Sequence, residues 1–339
     1  MRVRSDRSTA AARRRFALRM LQRTVQTAVT LLFASILVWS LTGLTPDDPA
    51  RRVVAAQNPL REPTPAQVEA VREELGLDQP IGRQYLIWAS GAVTGDLGTS
   101  WRTGRPVSEE FRRYLPPTLV LTAASMLVAL GVSIPLGLVG AATAGRWPDA
   151  LVRMLSFVLV SAPSFLVGVL LLQIVVLRWG LGSVVATGGW GTVWLPAIAL
   201  GAWPAASWAR ILRGGLLEAS SASFMRVSTA RGAGRLRLLV VHALPNTAVP
   251  FLAIVGVSVG YLLAGTPVIE TVFTWPGIGR FTVESINARD LPVVQAFTLF
   301  AVLAFVLSSL VVDLVSAAID PRLIPTQRKT QLTRWAART

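Results

Sequence analysis

The chain has 339 residues, 33 of them Lys or Arg and 18 Asp or Glu, for a formal net charge of +15, and it has no cysteine. Hydrophobic residues make up 52% and charged residues 15%, against about 25% charged in an average soluble protein. That excludes an intrinsically disordered chain, a disulfide scaffold and a cysteine-ligated zinc site, and the single histidine, His242, speaks against His-rich metal centres and a His-based triad. All basic residues but Lys329 are arginines, and where they sit decides whether the surplus marks nucleic acid or membrane.

Six stretches carry no charge: 24–46, 114–145, 154–177, 179–209, 238–269 and 291–312. A helix rises about 1.5 Å per residue through a hydrocarbon core of about 30 Å, so each stretch can hold a span of about 20 residues. Six successive helices apolar on every face have no place in a small soluble domain. The expected fold is all-α, a polytopic membrane protein with six transmembrane helices.

Residues 1–23 read as a basic cytoplasmic segment, with eight arginines from Arg2 to Arg23 opposed only by Asp6. The first span takes 24–44. It is longer than a signal-peptide core and lacks a small-x-small cleavage site before Pro46, so it is expected to be retained. Residues 45–116 read as an ordered extracytoplasmic segment, with nine arginines balanced by ten acids. Within it, Thr64-Pro65-Ala66-Gln67 predicts a helix start: Thr as N-cap, Pro at the first helical position, Gln as capping-box partner. Val68, Val71 and Leu75 recur on one face and Gly76 ends the helix. Tyr85-Leu86-Ile87-Trp88 belongs at the membrane interface, where aromatic side chains are favoured. The segment is expected to cap the outer ends of the spans, a role compatible with docking a substrate-delivering partner.

Residues 117–316 hold spans two to six. Pro135, Ser161, Pro163 and Ser164 are candidates on composition for lining a translocation pathway. Between spans four and five, the stretch from about 210 to 246 carries Arg210, Arg213, Arg226, Arg231, Arg235 and Arg237 against Glu218 alone. It reads as a helix, a break at Gly232, where positive φ is tolerated, and a second helix that enters span five at Pro245. The 270–290 loop is acidic on balance, and 317–339 form a second basic tail. Because basic residues beside span ends stay cytoplasmic, both termini and the 210–246 loop are expected inside.

That loop carries a resemblance. Gly232, eleven residues and then Leu244-Pro245 is similar to the second half of the coupling-loop motif of binding-protein-dependent ABC transporter permeases. Ser223 to Gly232 (Ser-Phe-Met-Arg-Val-Ser-Thr-Ala-Arg-Gly) followed by His242-Ala243-Leu244-Pro245-Asn246 resembles the loop of the dipeptide/oligopeptide branch. Leu75 to Ile81, Gly95 to Gly98, Arg102 to Val107, Ser161 to Phe165, Glu270 to Phe273, Trp275 to Gly279 and Asp320 to Arg322 look like the B-type subunit, in the same order along the chain. The resemblance implies that Phe224, Met225, Arg226, Ala230, Arg231, Gly232, His242, Leu244 and Pro245 form the ATPase-coupling loop. It further implies a bacterial cytoplasmic membrane location and four partners: a second permease forming a heterodimer, two ABC ATPase subunits and an extracytoplasmic substrate-binding protein. Membrane lipids surround the spans, and no nucleic acid partner is expected.

The chain itself is not expected to be an enzyme. A P-loop needs a Gly-Lys-Ser/Thr sequence to reach the nucleotide phosphates, and Lys329 has no glycine-rich loop before it. No cofactor or metal is expected on this chain, with ATP and Mg on the ATPase partners. Peptides are the implied substrate, with nickel or another small solute as the alternative. A secondary transporter is the second reading, but it would normally show charges near the bilayer midplane or an internal repeat.

Overall fold

The computed structural model describes residues 3–40, 48–57, 61–183, 185–222, 225, 228 and 232–319. These residues form helices and connecting turns, and the one β feature among them is an isolated bridge between Thr99 and Pro106. In chain order the helices are α1 (Val3–Ser40), α2 (Pro49–Gln57), α3 (Pro65–Glu74), α4 (Ile81–Thr94), α5 (Val107–Ala142), α6 (Trp147–Ser161) and α7 (Ser164–Leu171). Then follow α8 (Trp194–Ser221), α9 (Arg235–Val272), α10 (Ile278–Asn287) and α11 (Leu291–Ile319). The basic N-terminal segment and the first expected span thus run as one helix.

The apolar side chains lie largely outside. In the apolar stretch of α1, Leu21–Ser40, only 6% of the residues are buried, and Leu32, Phe33 and Leu37 are exposed along it. Leu127, Phe157, Leu170 and Leu314 are likewise exposed on other helices. Such surfaces are stable in lipid, where helices satisfy their own backbone groups and apolar side chains need no cover. Among the described residues, four helices are long and apolar enough to cross a membrane: α1 from Leu21, α5, α9 and the 291–312 part of α11. The pair α6 and α7, broken at Ala162-Pro163, makes a fifth if it counts as one span. The expected fourth span, 179–209, falls on α8, which is not among these. The described residues of 179–193, with glycines at 180, 182, 188, 189 and 191, are not helical, so the uncharged helical part of that stretch is Trp194–Ala209.

The chain divides into two compact units. One comprises the chain to Val128, 162–203 and 260–306; the other comprises 129–161, 204–259 and the chain from Leu307. In the first, Leu121, Leu195, Ala199, Ile269, Phe273 and Trp275 form a buried cluster. A second cluster joins Val107, Phe111, Ile278, Phe281 and Val293, with Tyr114 stacked on Phe281 at 4.7 Å between centroids. In the second unit small residues set helix spacing, as expected where lipid gives no hydrophobic drive between helices. A Cβ on Gly137 would meet Leu212 at 3.0 Å, and one on Gly215 or Gly256 would overlap Thr247 or Val312.

The described residues of the 45–116 segment show the capping box read from its sequence. Thr64 Oγ1 accepts from Gln67 N (3.4 Å) and Gln67 Oε1 accepts from Thr64 N (3.1 Å), completing the capping box at the start of α3. Gly76, at φ +63°, ends the helix. Val68 and Val71 are half-buried, while Leu75 is exposed. On α4, Tyr85 meets Trp39 edge-on at 5.8 Å and its hydroxyl lies 2.9 Å from Ser35 Oγ, with Leu86 and Ile87 exposed beside it.

Candidate functional site

The described part of the stretch from Arg210 to Asn246 includes two helices, the end of α8 and the start of α9. In the first, Leu212 and Leu216 are fully buried and Arg210 and Glu218 are exposed. Beyond Ser221, Met225 N donates to Ala222 O at 3.1 Å. Met225 is 3% exposed, so it anchors the segment within the chain instead of presenting an apolar face outward. Phe224, Arg226, Ala230 and Arg231 lie outside the described residues. Gly232 sits in an exposed turn at φ +81°, where a Cβ would meet nothing within 4 Å. The requirement for glycine there is one of backbone conformation and not of space.

The return helix is amphipathic. Leu239, Ala243 and Thr247 are buried at four-residue spacing, one face of the helix, and Thr247 meets Gly215 of α8. Leu236, Val240 and Val241 are exposed. From Leu238 to Ala243 the winding is π-helical. Pro245 lacks the N–H that would bond Val241 O, and its ring would press on that carbonyl; a widened turn just before the proline accommodates both. Pro245 therefore lies inside α9, ten residues after its start at Arg235, and not at the head of the helix as its sequence context suggests. His242 is half-buried, and its carbonyl accepts from Asn246 Nδ2 at 2.7 Å. Leu244 is half-buried and Pro245 exposed.

Two polar links that hydrophobic patterning does not announce tie this stretch to the helices beside it. Arg213 on α8 grips Asp149 on α6 with Nε–Oδ1 at 2.5 Å and Nη2–Oδ2 at 2.8 Å. Asp149 is 1% exposed and also accepts from Gly145 N at 3.1 Å. Gly140 leaves room for the arginine stem, since a Cβ there would meet Arg213 Cδ at 2.9 Å. Arg235 Nη2 donates to Ala141 O at 3.1 Å, satisfying a carbonyl that the end of α5 leaves open. The available signal was compositional: Asp149 is the one acid between Glu110 and Glu218.

The composition-based pathway candidates divide. Ser161, Pro163 and Ser164 gather at the break between α6 and α7, with Ser161 and Pro163 exposed and Ser164 half-buried. Pro163, at φ −60° and ψ 139°, caps α7, as its missing N–H and fixed φ allow. Pro135 is exposed within an unbroken α5.

A second cluster organises the 270–290 region of the first unit. Glu270 is fully buried and accepts from Thr118 Oγ1 (2.6 Å) and Arg280 N (2.8 Å) at the start of α10, where a carboxylate complements the helix dipole. Trp275 Nε1 donates to Pro117 O at 3.0 Å. Asp290, also fully buried, accepts from Ser100 Oγ, Trp101 N and Arg102 N at 2.5, 3.0 and 3.2 Å. The two carboxylates bind loop to helix; among the described residues no group of three acids, histidines or cysteines could hold a metal ion.

The profile described as binding-protein-dependent transport system inner membrane component matches residues 133–325, and the corresponding N-terminal profile matches 15–122. The glutathione transport system permease protein GsiC of Salmonella typhimurium is 38% identical over 305 residues, covering 90% of this chain and 98% of that protein. GsiC of Escherichia coli K12 is 38% identical over 295 residues, covering 87% and 94%. The inward-facing MetNI methionine ABC transporter shares the fold, with a TM-score of 0.50 at 17% identity over 62% of this chain and 96% of that one.

Proposed function

The chain belongs to the family of binding-protein-dependent ABC importer permeases, peptide type, and from that premise we propose that it forms, with a second permease, the route by which small peptides cross a bacterial inner membrane. A glutathione-like peptide is the favoured cargo, because the similar permeases carry that substrate in their names. Nickel or another small solute is the alternative. The termini and the 210–246 stretch face the cytoplasm, where two ABC ATPases seat on the loop; an extracytoplasmic binding protein delivers substrate to the opposite side. ATP and Mg belong to the ATPases, and this chain alone hydrolyses no ATP.

The observation that carries the coupling role is the contrast within the loop. Its return helix is fixed to the bundle by Leu239, Ala243 and Thr247, while the turn at Gly232 is exposed. A rigidly seated helix pair with an exposed turn can take a push from a partner and pass it to the helices as a rigid-body movement. The test is Gly232→Val in the reconstituted transporter. Membrane insertion and ATPase assembly should be retained, peptide uptake should fall, and hydrolysis should appear only when the ATPases are present. Normal uptake by the variant, or hydrolysis by the permease alone, would overturn the reading.

A further inference from the structure

The second unit contains a cleft of about 560 Å³ lined by Ala150, Arg153, Met154, Phe157, Arg210 and Arg213. Its charges do not cancel. Arg213 is engaged on both carboxylate oxygens of Asp149, whereas Arg153 reaches that carboxylate only at 3.8 Å with its side chain 58% exposed. Arg210 is exposed on the same wall. The one buried carboxylate is taken up by Arg213 and, at a distance, Arg153, and no acid lines the cleft beside Arg210, leaving a surplus of positive charge there. The rest of the wall is apolar and uncovered, with Met154 58% and Phe157 67% exposed.

The cleft also lies where a polar headgroup would. Trp147, 77% exposed at the start of α6, is of the residue type that favours the interface. Arg210 and Arg213 follow directly on the uncharged Trp194–Ala209 stretch of α8. Two arginines lining one cleft suit a phosphate, and the apolar wall beside them suits an acyl chain leaving that headgroup.

We propose that this cleft binds the phosphate of an anionic phospholipid, with Arg153 and Arg210 on the headgroup and Met154 and Phe157 against its acyl chain. Asp149 holds Arg213 in place and so leaves Arg153 and Arg210 to meet the headgroup. The site is independent of the transport reading.

The test uses the full chain in neutral detergent, incubated with phosphatidylglycerol, and native mass spectrometry to read the lipid retained. Phosphatidylglycerol should be retained over phosphatidylcholine of the same chains, and R153Q and R210Q should each weaken retention by about fivefold. M154S/F157S should weaken it with the arginines intact, while R61Q/R83Q, which removes two charges from the 45–116 segment, twice the loss of either single variant, should not. Unchanged melting temperatures would show the variants folded. Equal retention of phosphatidylcholine, an equal loss with R61Q/R83Q, or displacement of the lipid by excess inorganic phosphate would overturn the proposal, the last by assigning the cleft to free phosphate.

Discussion

Removing Asp149 should show what the polar link between α6 and α8 contributes. Breaking a fully buried ion pair from one side costs about 3–5 kcal/mol, because the remaining charge is stranded. Here Asp149 is 1% exposed but Arg213 retains 20% exposure, so the guanidinium can regain some water and Asp149→Ala should cost about 2–3 kcal/mol. At about 2 °C per kcal/mol for a chain of this size, the melting temperature should fall by about 4–6 °C. Arg213→Ala should cost a similar amount, since it strands a carboxylate that is 1% exposed, an effect partly offset because Gly145 N still donates to it. The assay is tryptophan fluorescence during thermal unfolding of the purified chain in detergent, for wild type, both single variants and the double variant. If the pair acts as its geometry indicates, the double variant should be no worse than Asp149→Ala, a coupling of about 2 kcal/mol. Single effects that add in the double variant to within about 0.5 kcal/mol would refute the link as a cooperative unit.

Gly277→Ala should destabilise by about 1–3 kcal/mol, because its Cβ would fall on the buried Glu270 carboxylate; Gly82→Ala in α4, where a Cβ meets nothing within 4 Å, should be neutral or stabilising by up to about 1 kcal/mol. Equal melting temperatures for the two would count against the Glu270 cluster. The absence of native cysteine permits a topology test: cysteines at Ala70 and at Gly234 should label from opposite faces of the membrane with an impermeant maleimide, and labelling from one face would break the proposed orientation.

What the sequence made legible was local. The capping box at Thr64 follows from four adjacent residues, and the turn at Gly232 from one residue that accepts positive φ. The apolar stretches are readable because lipid demands a minimum length of uncharged helix. Features that depend on distant partners were hidden. Asp149 and Arg213 are 64 positions apart; Asp149 stands out as the one acid between Glu110 and Glu218, but nothing in the sequence says which of the arginines it meets. Pro245 reads as a helix start because a first-turn proline is common, and only the π-helical turn before it lets the helix begin earlier. The uncharged run 179–209 overstates α8, since absence of charge permits a span but glycine-rich backbone does not build one. Met225 reads as a candidate contact for a partner because it is apolar in a polar loop, and the fold uses that same property to bury it.

The first helix has a further consequence for biogenesis. Near its end, Ser35 and Trp39 meet Tyr85 and Gln295 Nε2 reaches Val38 O at 3.4 Å. Gln295 is 257 residues downstream. At about 5–20 residues per second, the ribosome delivers it between about 10 and 50 s after Val38. For that interval α1 has to persist in the bilayer before its late partner exists. A helix that leaves nearly all of its apolar surface to lipid loses little by waiting, so the exposed flank of α1 suits an element that is inserted early and moored last.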